Sequence, residues 1–581
     1  MKKKQLKNQK VTSSKTRQKY FIPLLIILIL TAFIYSRSIN NGFVNWDDDK
    51  VVVENSDIRA VSLQNIGSFF SKSYEKMYEP LVMISYAVDY QINGLDPAVF
   101  HFTNILFNLG NVVLVFFLIL KLSGRKETAL IAACLFGIHP MHVESVAWVT
   151  ERKDVMYAFF YLGSLILYLR YIESRRWNFY WIALISFILS LLSKSNAITL
   201  PLILILIDFF RQRKWNKIIL LEKLPFVLLA LVFGIIMLYT QNAANVEPVI
   251  KHYNILDRIF LVFYSIFFYV SHYFYPNPLS AFYPFPWKVN GWLPQIYYFS
   301  PILIILIIIL VLRKSPFQRE LIFGFLFFLA AISMTIQILP FGMAVVSERY
   351  AYVPYIGLSF IIGQLFCRLL DGKGKLFLLN RRALWGAAII IIITLSYISS
   401  MRTYDWYNSI TLFSDTIRKT GPSSVIKEDL GLAYMERGQE KLSANELSGA
   451  ISDFDSSITL YPKFYGGYYK RAIAKKHLQM FGPALGDFNM AIKLAPDRAD
   501  IYSDRGGDKM ELNDFEGAVN DFSKALQIDS SLGIVHFNLG IAYLKLNKID
   551  LACQEWDLAL KSGVLIAQDY LNKYQKILKN P

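Results

Sequence analysis

Cysteine is nearly absent, with three in 581 residues: Cys134, Cys367 and Cys553. They are scattered without metal-ligand spacing, and the first two lie in or beside apolar runs, so neither a disulfide framework nor a zinc module can be read from them. Charge is scarce as well. Asp, Glu, Lys and Arg make up 18% of the chain, against about 25% in an ordinary soluble domain. Acidic residues are rarest where the chain is most apolar: up to Ser400 there are 21 Asp and Glu against 39 Lys and Arg, and beyond it 23 against 22. The net charge of +17 therefore belongs to the first part. Its basic residues sit in short clusters between apolar runs, a pattern of positive-inside topology rather than of a nucleic-acid surface, and no nucleic-acid partner is expected.

Hydrophobic residues fill the space that charge leaves, at 54% of the chain. A helix crossing the hydrocarbon core needs about 20 residues. Apolar stretches near that length recur around 20–36, 100–120, 128–147, 155–172, 177–193, 196–210, 223–240, 257–275, 299–312, 320–339, 352–370 and 383–400. The first follows a Lys-rich leader, residues 1–19, with no small-residue cleavage motif, and is read as a retained transmembrane helix. Positive-inside topology then puts the leader in the cytoplasm and the acidic loop 37–99 outside. The clusters Lys121–Lys126, Arg170–Arg176, Arg211–Lys223, Arg313–Arg319 and Arg368–Arg382 also belong inside. Between Lys217 and the outer aromatic stretch Pro276–Tyr298 lie two candidates where sidedness permits an odd number of crossings. About eleven spans are therefore expected, with 223–240 or 257–275 re-entrant, interfacial or broken. The chain after residue 400 then emerges outside.

Beyond a linker at 401–422, the pattern becomes amphipathic. Ala484, Phe488 and Ala491 recur 34 residues later as Ala518, Phe522 and Ala525, and again as Ala552, Trp556 and Ala559. This is the tetratricopeptide period, and residues 423–581 are expected to form about four repeats stacked as an α-solenoid. An earlier copy, Leu430, Gly431 and Tyr434, looks displaced by an insertion around Gln439–Glu446. The expected fold class is all-α: a polytopic membrane domain over 20–400, then the repeats.

Chemistry-bearing residues collect on the predicted outer face. Asp47, Asp48 and Asp49 open the first loop. Adjacent carboxylates raise one another's pKa, and one poised near neutrality can take a proton from a hydroxyl; the plain alternative is a solvated acidic turn. His139, His142 and Glu144 precede Arg152, Lys153 and Asp154 at the outer end of the third candidate, where ionisable groups are costly unless paired or used. The two histidines and Glu144 are expected to hydrogen-bond in an active-site cleft. A divalent metal there is open but not favoured, since no flanking motif fixes its geometry. Arg349, beside Glu348, offers a planar fork suited to a phosphate or a carboxylate. Lys194 is either a phosphate contact or a snorkelling lysine.

These motifs, in this order, resemble the transmembrane and tetratricopeptide-repeat (TMTC-like) O-mannosyltransferases of the GT-C class of polytopic glycosyltransferases. The resemblance rests on Trp46-Asp47-Asp48 with Asn55, Tyr78-x-Pro80-Leu81, Phe100-His101 with Asn104, and the run from His139 through Trp148. It continues through Arg152-Lys153-Asp154, Ser193-Lys194, Ser347-Glu348-Arg349-Tyr350 and Trp406. It implies an inverting transfer from a polyprenyl- or dolichyl-phosphate sugar to a protein or glycan hydroxyl. Asp47 or Asp48 would be the base, Arg349, Arg152 and Lys194 would stand at the donor phosphate, and His139, His142, Glu144, Asp154 and Glu348 would line the cleft. No cofactor is required. The membrane is bacterial or that of the endoplasmic reticulum, with the repeats on the acceptor side. Glu79 departs from the pattern, standing where a basic residue is expected. Competing readings are a ligase or polymerase of lipid-linked glycans, which would lean on arginines, and a membrane-anchored scaffold.

Overall fold

The computed structural model describes residues 20–242, 252–314, 317–338, 343–371 and 381–579. The basic leader 1–19 and most of the Arg368–Arg382 cluster lie outside them. The chain divides into two compact units, Met1–Gly421 and Pro422–Pro581.

The first unit opens with α1 (Tyr20–Asn40). The loop after it carries α2 (Leu63–Ser71) and α3 (Pro80–Asn93), and is followed by α4 (Pro97–Ser123), α5 (Lys126–Ile138), α6 (Val143–Ala147) and α7 (Arg152–Ser174). Next come α8 (Trp177–Leu191), α9 (Leu200–Phe210), α10 (Lys217–Asn242), α11 (Ile255–Phe274) and α12 (Gln295–Leu312). The unit closes with α13 (Gln318–Ile332), α14 (Tyr355–Leu370), α15 (Arg381–Asp405) and α16 (Ser409–Thr420). Local chemistry sets many of the ends. Asp96 caps α4 by accepting from the amide of Ala98, Pro97 follows at its first turn, and Gly124 ends it at φ 68°. Asn254 and Asp257 form a reciprocal capping box on α11.

Each of the twelve apolar stretches carries a helix among the described residues, but they are unequal. Among the described residues seven helices are long and apolar enough to cross a membrane: α1, α4, α7 with the turn before it, α10, α11, α12 and α15. This is a membrane protein. Helix α8, the helix Ser195–Phe210 that ends in α9, and α14 are apolar but shorter. Of the forms expected for 223–240 or 257–275, a break is not found, because α10 and α11 run through them as continuous helices, each long and apolar enough to span. The break falls instead inside 128–147, where α5 and the segment Pro140–Ala147 meet at a bend of 58°. His139 is extended there, and Pro140 has no N–H to continue the α5 ladder. Close approach is bought with glycine where α13 crosses α14: a Cβ on Gly357 would collide with the carbonyl oxygen of Gly324. The only strands among the described residues, β1 (Tyr283–Pro284) and β2 (Ala344–Val346), pair antiparallel with Tyr283 opposite Val346. They tie the loop after α11 to the segment that carries Arg349. Residues 401–422, expected as a linker, are largely helical, since α15 continues to Asp405 and α16 follows.

The second unit is a run of helix pairs: α17 (Ser424–Ser443) with α18 (Leu447–Leu460), and α19 (Tyr465–His477) with α20 (Phe481–Leu494). Then α21 (Ala499–Glu511) pairs with α22 (Phe515–Ile528) and α23 (Gly533–Lys545) with α24 (Ile549–Lys561), before α25 (Ala567–Lys579). Phe454, Phe488, Phe522 and Trp556 are fully buried at the 34-residue spacing. Each ring packs where its partner helix has almost no side chain: a Cβ on Gly506 would come within 2.7 Å of Phe522, and one on Gly540 would meet Trp556. The first copy carries no insertion at 439–446. Asn445, Gln479, Asn513 and Asn547 end the first helix of each pair in step, at φ 63°, 59°, 60° and 57°. The additional residues lengthen α17 at its start, to 20 residues where α19 has 13. Gly438, not Gly431, therefore takes the small position of the repeat.

Candidate active site

The site grows from four consecutive ionisable residues, Glu151 to Asp154, at the start of α7. All four are buried. Ions in that setting persist only when paired, and the pairs reach far along the chain. Glu151 accepts Lys194 Nζ at 3.1 Å, Arg349 Nε at 3.1 Å and, more loosely, Lys153 Nζ at 3.5 Å. Asp154 accepts Lys194 Nζ at 2.7 Å and the Ser145 hydroxyl at 3.1 Å. Arg349 also pairs with Glu144, whose carboxylate accepts the Arg349 amide at 2.9 Å and the Ser347 hydroxyl at 3.2 Å. Glu151, Asp154 and Glu144 thus draw three cations together.

The three cations line a cavity of about 130 Å³. Lys153, Lys194, Arg349 and Glu151 form its charged wall, and Lys76, Tyr78 and Glu79 of the first loop stand across from helix residues Phe233, Ile236 and Met237 of α10. Thr335 and Gln337 complete it after α13. Helix α10 turns further apolar side chains outward, with Leu231, Ile235 and Tyr239 exposed. The cavity therefore joins a cluster of positive charge to an apolar helix face.

The acid pair splits into two roles. Asp48 is fully buried; its Oδ2 accepts the amide of Val44 at 2.9 Å and its Oδ1 that of Thr150 at 3.0 Å. Burial pushes its carboxyl up to about 7 against the pull of those two amides. Asp48 is spent on fastening the loop to the entry of α7. Asp47 is half-buried, and among the described residues its carboxylate has no hydrogen bond or ion pair. Its charge acts on Glu79 and Lys153, both in the cavity wall.

Other expected site residues are committed elsewhere. Arg152 does not line the cavity. It is buried on Asp89 at 2.5 Å, Asn104 Oδ1 at 2.8 Å and the Phe100 carbonyl at 2.7 Å, and lies over the Tyr86 ring, so it binds α3 and α4 to α7 rather than a ligand phosphate. His139 donates from Nε2 to the Tyr273 carbonyl at 3.1 Å, since its Nδ1 accepts the amide of Met141 at 3.2 Å. His142 bonds the Phe136 carbonyl through Nδ1 at 2.8 Å. Both rings sit among Tyr273, Tyr352 and Tyr355, away from the cavity lining. Among the described residues no group of three or more His, Cys, Asp or Glu could hold a metal. Glu348 is buried on Arg402 of α15, at 3.1 and 3.3 Å, and accepts the Tyr283 hydroxyl. Lys194 does not snorkel; it is buried on two carboxylates and lines the cavity. Sequence reasoning missed Glu151, the acid that gathers the cations. Its signal was available, as the first of four ionisable residues abutting an apolar run.

A TPR repeat model matches residues 508–547. Over 452 residues the chain is 24% identical to Protein O-mannosyl-transferase F38B6.6 of Caenorhabditis elegans, covering 74% of this chain and 62% of that protein. It is 26% identical over 230 residues to the human Protein O-mannosyl-transferase TMTC4, covering 34% of this chain and 31% of that one. The chain is TMTC-like. The resemblance drawn from its motifs holds, although the chain spans less than two thirds of the length of these curated relatives. Among solved structures, the crystal structure of MamA protein is 19% identical with a TM-score of 0.23, over 26% of this chain and 80% of that one.

Proposed function

We propose that the protein is a glycosyltransferase that moves a sugar, mannose by the names of its relatives, from a polyprenyl- or dolichyl-phosphate donor to a hydroxyl of a protein or glycan on the extracytoplasmic face. One observation carries the reading: Lys153, Lys194 and Arg349 line the same cavity as the apolar α10 residues Phe233, Ile236 and Met237. A lipid-linked phosphate needs both, cations for its charge and an apolar path for its chain.

In this reading Asp47 accepts the proton of the acceptor hydroxyl while that oxygen bonds to the anomeric carbon. The bond from that carbon to the phosphate oxygen breaks, and its electron pair leaves on the phosphate, where the three cations stabilise it. Attack opposite the leaving group inverts the configuration. Asp48 holds Asp47 in place through Val44 and Thr150, and Glu144, Glu151 and Asp154 hold the cations ready. The repeats, outside because α15 follows a basic cluster, Arg368–Arg382, that positive-inside topology keeps in the cytoplasm, bring the acceptor.

The test is to incubate purified protein with a panel of radiolabelled polyprenyl-phosphate sugars and an acceptor mixture. Label passing from one donor into protein or glycan is expected; no transfer from any of them, by protein that stays folded, sinks the reading. A reporter fused after Pro581 checks sidedness, and fluorescence from a cytoplasm-only reporter there would contradict it.

A further inference from the structure

Two acceptors in the cavity have no donor among the described residues. Glu79 precedes Pro80, which restricts its backbone, and its side chain does not cap α3. It lines the cavity instead, and among the described residues no hydrogen bond or ion pair holds its carboxylate. Lys153 and Lys194 act on it through space, while burial pushes the group up to about 7. Gln337 lines the same cavity and is 4% exposed. Its Nε2 donates to the carbonyls of Ala344 and Val345, at 3.1 and 3.0 Å, which leaves Oε1 as the free end. Among the described residues that oxygen is buried without a partner. A buried acceptor without a donor is a cost that a ligand can relieve.

The cations call for an anion, whereas the two acceptors would repel one and call for O–H or N–H donors. A single small ligand meets both demands when it carries a phosphate and several hydroxyls. We infer that Glu79 and Gln337 bind hydroxyls of the donor sugar and determine which sugar the protein accepts. This deepens the donor reading above and rests on it. A carboxylate has two oxygens that accept from neighbouring hydroxyls of one ring, and a site built to hydrogen-bond a hydroxyl rejects an analogue that misplaces it far more strongly than an apolar pocket does. A cationic amino sugar fits less well, because Lys153 and Lys194 share the cavity.

The experiment measures binding of bare polyprenyl phosphate, and of polyprenyl phosphates bearing epimeric hexoses, to the purified full-length protein. The wild type is expected to prefer one hexose over its epimers and over the bare lipid. Glu79→Gln and Gln337→Leu, checked for unchanged melting, are each expected to cut that preference about 10-fold or more and to leave affinity for the bare lipid as it was. An unchanged preference in both folded variants overturns the inference, as does an equal loss for bare and sugar-bearing lipids. Failure of the wild type to bind bare polyprenyl phosphate is a different result, and overturns the donor reading itself.

Discussion

The two units handle charge in opposite ways. In the repeat unit Asp453, Asp487 and Asp521 each hold the arginine sixteen residues earlier, Arg437, Arg471 and Arg505, at 2.6, 2.5 and 2.5 Å. Each also holds a lysine, Lys441, Lys475 or Lys509, at 2.8, 2.8 and 2.9 Å. The pattern has the period of the fold, and it stops in the fourth repeat, where Leu539 replaces the arginine and Glu555 the aspartate. In the membrane unit the ion pairs have no period. Those gathered around Glu151 join residues as distant as Glu144 and Arg349, their carboxylates are buried, and they border a cavity. Charge that repeats with the architecture belongs to the architecture. Charge that is buried, aperiodic and gathered at a cavity costs too much to be kept for packing alone.

The comparison breaks most sharply at Asp47. Asp47→Asn keeps the side-chain shape and removes the proton acceptor, so transfer is expected to fall by about 10² to 10⁴ with melting unchanged; near wild-type turnover would exclude Asp47 as the base. Phe522→Ala empties the space over Gly506 and is expected to destabilise the repeat unit by about 3 to 5 kcal/mol, visible as an early melting step, while donor binding in the membrane unit is retained. Loss of donor binding would show that the units are not separable in this way.

Asp48 is expected to behave as a structural acid. Its folded carboxyl lies above its ordinary value, at about 7, so the native state holds a proton that the unfolded chain has released. That contribution to stability is present below about pH 4 and is lost as pH rises to about 7. Asp48→Asn is expected to flatten this part of the melting profile and to cost about 1 to 3 kcal/mol through the two amides it serves; a profile as steep as the wild type's would contradict the assignment. The smallest effect belongs to the ladder: Arg471→Ala, half-buried on Asp487, is expected to cost about 1 kcal/mol or less and nothing in transfer rate.

Much of this was legible in the chain. The apolar runs gave every membrane helix its place, because burial in lipid and burial in protein both demand long hydrophobic stretches. Those runs did not distinguish full spans from short helices such as α8 and α14, nor find the bend at Pro140, because hydropathy does not say where a helix meets a neighbour. The 34-residue period was plain from Phe488, Phe522 and Trp556. The first repeat was misaligned because Leu430-Gly431 on the lengthened α17 imitates Leu539-Gly540. At the site, charge in an apolar context identified the right segments but not the job of each residue. Arg152 and Arg349 look alike in sequence; only packing shows that one is consumed by Asp89 and Asn104 while the other lines the cavity.

Photo-crosslinking reads directly whether a lipid phosphate lies between the three cations and α10. A polyprenyl phosphate with a photoreactive group near its headgroup, bound to the purified protein and mapped by peptide mass spectrometry, is expected to label α10 around Phe233, Ile236 and Met237, with labelling competed by unmodified polyprenyl phosphate and lost in Lys153→Met. Competable labelling that falls elsewhere on the membrane unit, or labelling of α10 that Lys153→Met leaves intact, would contradict that placement.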